Sequence, residues 1–264
     1  LQMFIRPSTV QSIREMVEEA NAEAIKNFGR RPYNVLQLTH SGRRSNNKQW
    51  QSTPLAVCEN PYMDDHNSID GSSGKITIAS DDKIEEIIRG FIDGAILAKQ
   101  AGFDAVDVKI CHEYILRELL SAFTRPGKFG GSFENRTRAV FMIIDGIREH
   151  LGDSIDICVR MNAYDCVPYP YGWGMKEGVM NPYLTEPIKL CQMLVERGVR
   201  LIDLSTMMPR YQPYGRGLMA EHEEGPEAEI NPYKGTFDLL KATKEIKDAV
   251  PGGIFVCTGL TWLE

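Results

Sequence analysis

Apolar residues recur along the chain in two alternating patterns, one typical of amphipathic helices and the other of short buried strands. Helical spacing predicts five helices, at about residues 10–28, 81–101, 135–151, 184–197 and 236–248. Short runs rich in β-branched residues predict five strands, at residues 33–38, 105–109, 155–160, 201–205 and 254–257. Each predicted strand follows a helix, so the chain contains five helix–strand units.

Several of the predicted helix ends carry capping signals. Residues 8–11 (STVQ) have the composition of an N-terminal capping box, and Gly29 stands where a left-handed C-cap would end the first helix. Asp81 opens the second helix, and Gly198 closes the fourth. These signals agree with the hydrophobic pattern on where the helices begin and end.

Helices that alternate with strands predict a parallel sheet, either an open doubly wound sheet or a closed (β/α)8 barrel. The long polar loops follow strands, whereas the links that precede strands are short, and this asymmetry is typical of the barrel. Five strands cannot close an eight-stranded barrel. We therefore predict an α/β fold in which residues 1–264 form an incomplete (β/α)8 TIM barrel, with about five of its eight units present and the others lost from both ends.

Two segments between the predicted elements are unusual. Residues 45–80 form a long irregular stretch rich in Asn, Ser, Asp, Gly and Pro, and so long a loop in a compact domain is uncommon unless it covers a site or makes a contact. Residues 129–136 (FGGSFENR) contain too many glycines and charges for an ordinary core segment. Neither segment is expected to be a simple connection.

Composition narrows the class of function. The chain has 264 residues, is 42% hydrophobic and 25% charged, and carries a net charge of -6, which is ordinary globular composition without a basic footprint for nucleic acid. No apolar run reaches membrane-spanning length, and no signal peptide opens the sequence. The six cysteines form no CxxC pair and no tight metal-ligand spacing, which favours a reducing cytoplasm over a disulfide framework.

Charged side chains stand at the end of the second predicted strand. Alternation along residues 105–109 (AVDVK) puts Asp107 and Lys109 on one face and two valines on the other, and branched aliphatic residues suit the side that faces the helices. The two charges should therefore point into the barrel. A buried ion pair is the simplest alternative, but such pairs are unreliable stabilisers, so a functional role is favoured. Near the barrel mouth Lys109 would be an anion clamp or, if desolvated, a Schiff-base amine.

His112 and Tyr114 follow at the strand-to-helix junction. Singly, they would be a structural hydrogen-bonding group and a packed ring with a solvated hydroxyl; together beyond a strand end, they are better interpreted as a donor to a substrate oxygen and a phenolic proton source. Arg160 ends the next strand, either as a core ion-pair partner or as the group that holds a developing anion. Gln37, near the end of the first strand, is by itself most simply a partner of neighbouring backbone.

Four blocks match the Old Yellow Enzyme class of flavin-dependent oxidoreductases in the same order. They are residues 37–43 (QLTHSGR), residues 101–108 (AGFDAVDV), Tyr114 with its helix through residues 130–136 (GGSFENR), and the pair Val159-Arg160. The glycine-rich block is very specific, and the others are moderately so. The chain therefore resembles this family over most of residues 30 to 205.

The resemblance implies a (β/α)8 barrel that binds FMN noncovalently at its carboxyl-terminal mouth, with NAD(P)H as the reductant. Gln37 would hydrogen-bond the pyrimidine edge of the flavin, and Arg160 would stabilise the anionic reduced flavin. Lys109 and His112 fall where the family binds the carbonyl oxygen of its substrate, and Tyr114 falls on the residue that protonates the substrate carbon. The implied reaction passes hydride from the reduced flavin to the β-carbon of an electron-poor alkene, a small-molecule substrate.

Two departures from the family pattern change these expectations. Lys109 stands where the family usually has a histidine, and a lysine is a stronger point charge but a poorer planar partner, which favours an enolate or carboxylate-like oxygen. The family's first strands would precede Leu1 and its last phosphate-binding strand would follow Glu264, which makes Gly259 the remaining candidate for the phosphate site. The resemblance places any iron–sulfur cluster or second nucleotide-binding domain outside this segment, and a homo-oligomer is compatible with it.

Two other functions remain compatible with the residues alone. A Schiff-base lyase or aldolase barrel would use Lys109 as its nucleophile and Tyr114 as its acid, without flavin. A non-catalytic fragment that has lost its cofactor is a different class of protein, and an incomplete barrel would expose strand edges. The matched blocks favour the FMN-dependent NAD(P)H oxidoreductase over both.

Overall fold

A computed structural model describes residues 4–47, 51–64, 76–178, 181–206 and 234–258. The helices within these ranges are α1 (Val10–Phe28), α2 (Asp81–Gln100), α3 (Ile115–Leu120), α4 (Phe133–Leu151), α5 (Thr185–Glu196) and α6 (Lys234–Ala249). The strands are β1 (Val35–Leu38), β2 (Leu55–Ala56), β3 (Thr77–Ile78), β4 (Ala105–Ile110), β5 (Asp156–Tyr164), β6 (Leu201–Thr206) and β7 (Ile254–Cys257). None of these helices combines the length and the apolar character that crossing a membrane requires.

The main sheet is singly wound. Its strand order is β1-β4-β5-β6-β7, and every pair of neighbours is parallel. A doubly wound sheet would reverse direction at a switch point in its order, whereas the wall of a (β/α)8 barrel adds each strand beside the previous one. The observed order is therefore that of a barrel wall, with β2 and β3 forming a separate parallel pair.

The helices pack against one face of this sheet, so the apolar core lies on that face. Val106 and Val108 of β4 are fully buried on the helix side, where α2 contributes an apolar stripe that includes Ile84 and Phe91. Burying a valine or isoleucine side chain stabilises a fold by about 1.5–3 kcal/mol. The alternation predicted for β4 is confirmed, because Asp107 and Lys109 occupy the opposite face, called the inner face below.

The cap predicted at Gly29 is confirmed, and a cap that was not predicted forms at Ser132. Gly29 ends α1 at φ 71°, and the Ser132 hydroxyl accepts a hydrogen bond from the backbone N–H of Asn135 at the start of α4. Thr9 is the N-cap residue of α1, but its hydroxyl bonds the preceding turn at Arg6 rather than the helix. The capping box predicted at residues 8–11 therefore does not form.

Three features depart from the predicted elements. Strand β5 continues beyond Arg160 to Tyr164, because residues 162–164 are buried and pair with β6. The short helix α3 is not among the five predicted helices. The stretch 45–80 is only partly irregular in its described portion: β2 and β3 lie within it, and a 3₁₀ turn (Gly42–Arg44) comes just before it.

The glycine-rich segment 129–136 is a structural clamp between α3 and α4. Arg136 is buried; its Nε donates to the carbonyl oxygen of Gly131 at 2.9 Å, and its Nη1 donates to the carbonyl oxygen of Leu120. A Cβ added at Gly130 would collide with the carbonyl oxygen of Arg125. Close packing of backbone against Gly130 and around Arg136 therefore explains why segment 129–136 contains these glycines and this arginine.

Replacing Gly130 by alanine should lower the free energy of unfolding by about 2 kcal/mol, because backbone must move to admit the methyl group. Gly90 of α2 is the matched control, since an alanine there meets no atom within 4 Å. Gly90→Ala should raise the free energy of unfolding by about 0.5–1 kcal/mol through helix propensity. Urea denaturation of both variants measures the contrast, and equal effects would contradict the clamp.

Candidate functional site

Strand register collects polar residues into three layers on the inner face, near the carboxyl ends of the strands. Residues paired across parallel strands point to the same side of a sheet. From the amino-terminal end, the layers are Gln37–Asp107, Lys109–Arg160–Asp203 and Asn162–Ser205. This is the edge of a parallel α/β sheet at which active sites lie.

In the first layer Gln37 contacts a side chain rather than neighbouring backbone. Its Nε2 donates to Asp107 Oδ2 at 2.6 Å, which leaves its Oε1 as an acceptor. Burial raises the pKa of Asp107, while the bond from Gln37 partly offsets that rise. The amide is therefore an inner-face group with one end still available.

In the second layer Arg160 is held by an ion pair, but not all of its N–H donors have partners. Its Nε lies 3.1 Å from Asp203 Oδ2 at an angle too poor for a hydrogen bond, and its Nη2 makes a long 3.4 Å bond to the hydroxyl of Thr258. Burial raises the pKa of Asp203, and the nearby guanidinium opposes that shift. Arg160 is thus an ion-pair partner that still has donors for another group.

Lys109 stands beside Arg160 and has no ion-pair partner among the described residues. Its Nζ lies 3.8 Å from the ring centroid of Tyr114, a cation–π contact. The alternative of an Asp107–Lys109 ion pair is wrong, because no salt bridge joins these two side chains in the described part of the protein and the Lys109 Nζ lies over the Tyr114 ring instead. Lys109 and Tyr114, two of the candidate site residues, are therefore in direct contact.

His112 adopts a strained backbone conformation at the turn between β4 and α3. Its φ is 60°, and its backbone N–H donates to Asn162 Oδ1 at 3.2 Å. On the ring, Nε2 lies 3.0 Å from Ser205 Oγ and Nδ1 lies 3.5 Å from Cys111 Sγ. Burial, followed by the positive charges around it, lowers the pKa of His112 to about 4, so the ring is neutral near pH 7.

A buried ionic network supports this turn. Asn162 Nδ2 donates to Asp165 Oδ1 at 2.7 Å, and the other oxygen of Asp165 accepts hydrogen bonds from Arg117 Nε at 2.8 Å and from the backbone N–H of Trp173. Arg117 belongs to α3, directly after Tyr114. The segment from His112 to Arg117 is therefore held at both ends, by Asn162 at His112 and by Asp165 at Arg117.

The structure brings together five of the six residues predicted from sequence. Lys109, Tyr114 and Arg160 share the second layer or touch it, Gln37 lies one layer below, and His112 bonds to the layer above. The predicted phosphate-site residue, Gly259, lies outside the described residues. The geometry leaves the roles of these side chains as predictions.

Sequence reasoning missed Asn162 and Ser205. Ser205 stands at the end of its predicted strand, so the rule that selected Arg160 would also have selected it. Asn162 lies beyond the predicted end of β5, and only the observed extension of that strand brings it onto the inner face. Both were missed because a single hydroxyl or amide in sequence gives little sign of what it contacts.

Four buried polar atoms at or beside this face make no well-formed hydrogen bond within the described part of the protein. They are Thr39 Oγ1, Asp107 Oδ1, Arg160 Nε and Asp203 Oδ1. Leaving a buried polar group unsatisfied costs about 1–3 kcal/mol. A concentration of such atoms beside unpaired donors is what a binding site for a polar ligand requires.

Residues 8–206 match the family model described as NADH:flavin oxidoreductase / NADH oxidase. An NADPH dehydrogenase of Geobacillus sp. (strain WCH70) is 31% identical over 222 residues, 83% of this chain and 58% of that protein. An NADH:flavin oxidoreductase of Gibberella zeae is 37% identical over 126 residues, 47% of this chain and 30% of that protein. The chain thus spans less than two thirds of the length of these relatives.

Solved structures show the same fold. A 2-naphthoyl-CoA reductase superposes with a TM-score of 0.70 at 22% identity, covering 97% of this chain and 36% of the other. An Old Yellow Enzyme from Pichia sp. gives a TM-score of 0.61 at 20% identity, covering 96% of this chain and 63% of the other. The predicted α/β architecture, a partial (β/α)8 barrel, is confirmed.

The low pKa of His112 predicts a specific pH dependence of stability. In the unfolded chain a histidine binds a proton near pH 6.5, whereas folded His112 does so only near pH 4. The unfolded state therefore holds more protons between these values, and His112 makes stability fall as the pH falls through this window, by at most about 1.4 kcal/mol per pH unit.

His112→Gln is the comparison protein, because Asp107 and Asp203 remain in both proteins and their contributions largely cancel. Urea denaturation at pH 7 and pH 5 should show that the wild type loses more stability than the variant does. If the difference in free energy of unfolding between the two proteins were the same at pH 7 and pH 5, His112 would not be held neutral in the fold.

Proposed function

This chain belongs to the NADH:flavin oxidoreductase / NADH oxidase family, and we propose that its inner-face cluster is the flavin and substrate site of an FMN-dependent NAD(P)H oxidoreductase. The observation that carries the proposal is the set of unsatisfied buried polar atoms beside Arg160 and Lys109. Relatives named NADPH dehydrogenase and NADH oxidase support NAD(P)H as the reductant. FMN, when bound, supplies the hydride-transfer chemistry.

Gln37 and Arg160 fit the needs of the cofactor. The Oε1 of Gln37 is left as an acceptor, which suits an N–H at the pyrimidine edge of a flavin. Arg160 provides a permanent positive charge with unused donors, which suits an oxygen that gains negative charge on reduction. Asp203 holds the guanidinium in place from the neighbouring strand.

Lys109, His112 and Tyr114 form the substrate side of the site. His112 is neutral and would donate a hydrogen bond, while Lys109 adds an amino group that forms no ion pair with a described carboxylate. Together they would hold a substrate oxygen that carries negative charge, as in a carboxylate or an enolate. Tyr114 lies against Lys109 and would deliver its phenolic proton to the substrate carbon. The reaction class is reduction of an electron-poor alkene.

The described sheet would be part of a larger closed wall. Val35 on β1 is 42% exposed, and Ile254 and Val256 on β7 are 54% and 43% exposed, and register places all three on the inner face. In a closed barrel such side chains pack against one another. We therefore interpret residues 1–264 as five of eight barrel units, with Gly259 still a predicted phosphate-site residue.

The cofactor proposal is tested with the longest natural form of the protein, reconstituted with FMN and followed by quenching of flavin fluorescence. Arg160→Met should weaken FMN binding by about 10- to 100-fold, because it removes a charged hydrogen-bond partner. Arg200→Met is the matched control: Arg200 precedes β6 at the opposite end of the strand and bonds the Gly252 carbonyl oxygen. A colourless protein that cannot be reconstituted would refute the proposal.

Lys109→His should change substrate preference and leave FMN affinity within about twofold. An imidazole holds an anionic oxygen less strongly than a lysine amine does, so the ratio of kcat/KM for a 2-enoate over a neutral enone should fall about tenfold or more, roughly the worth of one charged hydrogen bond. Steady-state kinetics on both acceptors measures this ratio. Unchanged kinetics on each acceptor would show that Lys109 does not contact the substrate.

A further inference from the structure

His112 is held from two directions by side chains of two other strands. Asn162 of β5 accepts the hydrogen bond of its backbone N–H, and Ser205 of β6 lies within hydrogen-bond distance of its ring Nε2. A left-handed conformation is uncommon in a residue other than glycine and persists only when its surroundings fix it. The two contacts are therefore candidates for what fixes it.

The side-chain amide of Asn162 can make its hydrogen bonds in only one orientation. Its Oδ1 accepts from His112 while its Nδ2 donates to Asp165, and Asp165 is itself occupied by Arg117 and the backbone of Trp173. A flipped amide would set an NH₂ group against the N–H of His112 and an oxygen against a carboxylate. Because Asn162, Asp165 and Arg117 are fully buried, water does not compensate a lost partner.

We propose that Asn162 and Ser205 are positioning residues for His112: Asn162 fixes its backbone, and Ser205 donates to Nε2 so that the ring carries its hydrogen on Nδ1. The hydrogen bond made by one ring nitrogen of a histidine decides which nitrogen holds the proton. The Nδ1–H is then the donor left for a substrate oxygen, since its protein neighbour is the weakly bonding sulfur of Cys111. The substrate part rests on the proposed function, whereas the positioning does not.

Burial and the nearby cations keep the ring neutral. The groups near it are Lys109 and Cys111 of the β4 side, Arg160 of β5, Arg117 of α3 and, next to Arg160, Asp203 of β6. Burial disfavours a second proton on the ring, and Arg160, Lys109 and Arg117 disfavour it further. Ser205 thus has a neutral ring to orient at physiological pH.

The test is ¹H–¹⁵N NMR of the imidazole in the longest natural form of the protein, prepared without flavin, with the His112 signals assigned by their loss in His112→Gln. The wild type should show the Nδ1–H tautomer and a titration midpoint well below 6.5. Ser205→Ala should shift the ring to the Nε2–H tautomer. Asn162→Ala should raise the midpoint by at least one pH unit, because the ring leaves its buried position.

Thr206→Val is the matched control. Thr206 is the next residue of β6, is equally buried, and donates its hydroxyl to the Tyr164 carbonyl oxygen, so its loss perturbs the same strand without touching His112. The control should leave the tautomer and the midpoint of His112 unchanged. If Asn162→Ala does not fold, Ser205→Ala decides alone.

Two results would overturn the proposal: a Ser205→Ala protein with the wild-type tautomer, or a Thr206→Val protein with the same shift as Ser205→Ala. Because no flavin is present in the experiment, a failure of FMN binding would refute the proposed function and leave this result standing. Normal flavin affinity together with an unchanged His112 tautomer in Ser205→Ala would refute the positioning role and leave the proposed function standing.

Discussion

The parallel register between β4 and β5 is the constraint on which the site depends. It sets Lys109 opposite Arg160, so cations from two strands face the same side of the sheet. A slip of β4 by one residue would turn Lys109 toward the helices, away from Arg160, and bring Val106 and Val108 into the polar face. Since those valines are fully buried, the hydrophobic core enforces the register that the chemistry requires.

Buried charges provide the second constraint, because they join α3 to the loops on both sides of the site. Arg117 pairs with Asp165 after β5, while Glu118 pairs with Arg43 and accepts the backbone N–H of Val57. Removing one member of such a pair leaves an uncompensated charge, which costs about 3–5 kcal/mol. The stretch 45–80 was expected to make a contact, and the hydrogen bond from Val57 to Glu118 is such a contact. The same network of buried charges holds the turn that carries His112 and Tyr114 in place.

The sequence pattern was sufficient for the sheet and five of the helices because periodicity and glycine caps are local properties: Gly29 ends α1, and β7 has the predicted bounds. The strand-end rule also found Lys109, His112, Tyr114 and Arg160. It did not anticipate that Gln37 would bond to Asp107, or that Ser205 would reach His112 across 93 positions, because such pairings depend on tertiary packing. The burial of the charged residue Arg117 was hidden for the same reason.

The central claim is that the inner face binds FMN between Gln37 and Arg160, with Lys109, His112 and Tyr114 on the substrate side. A crystal structure of the longest natural form of the protein soaked with FMN tests it most directly. The account predicts the isoalloxazine ring in contact with both Gln37 and Arg160, with the other three side chains converging on one space above the ring. A flavin bound away from these residues, or those three side chains turned from a common cavity, would contradict it.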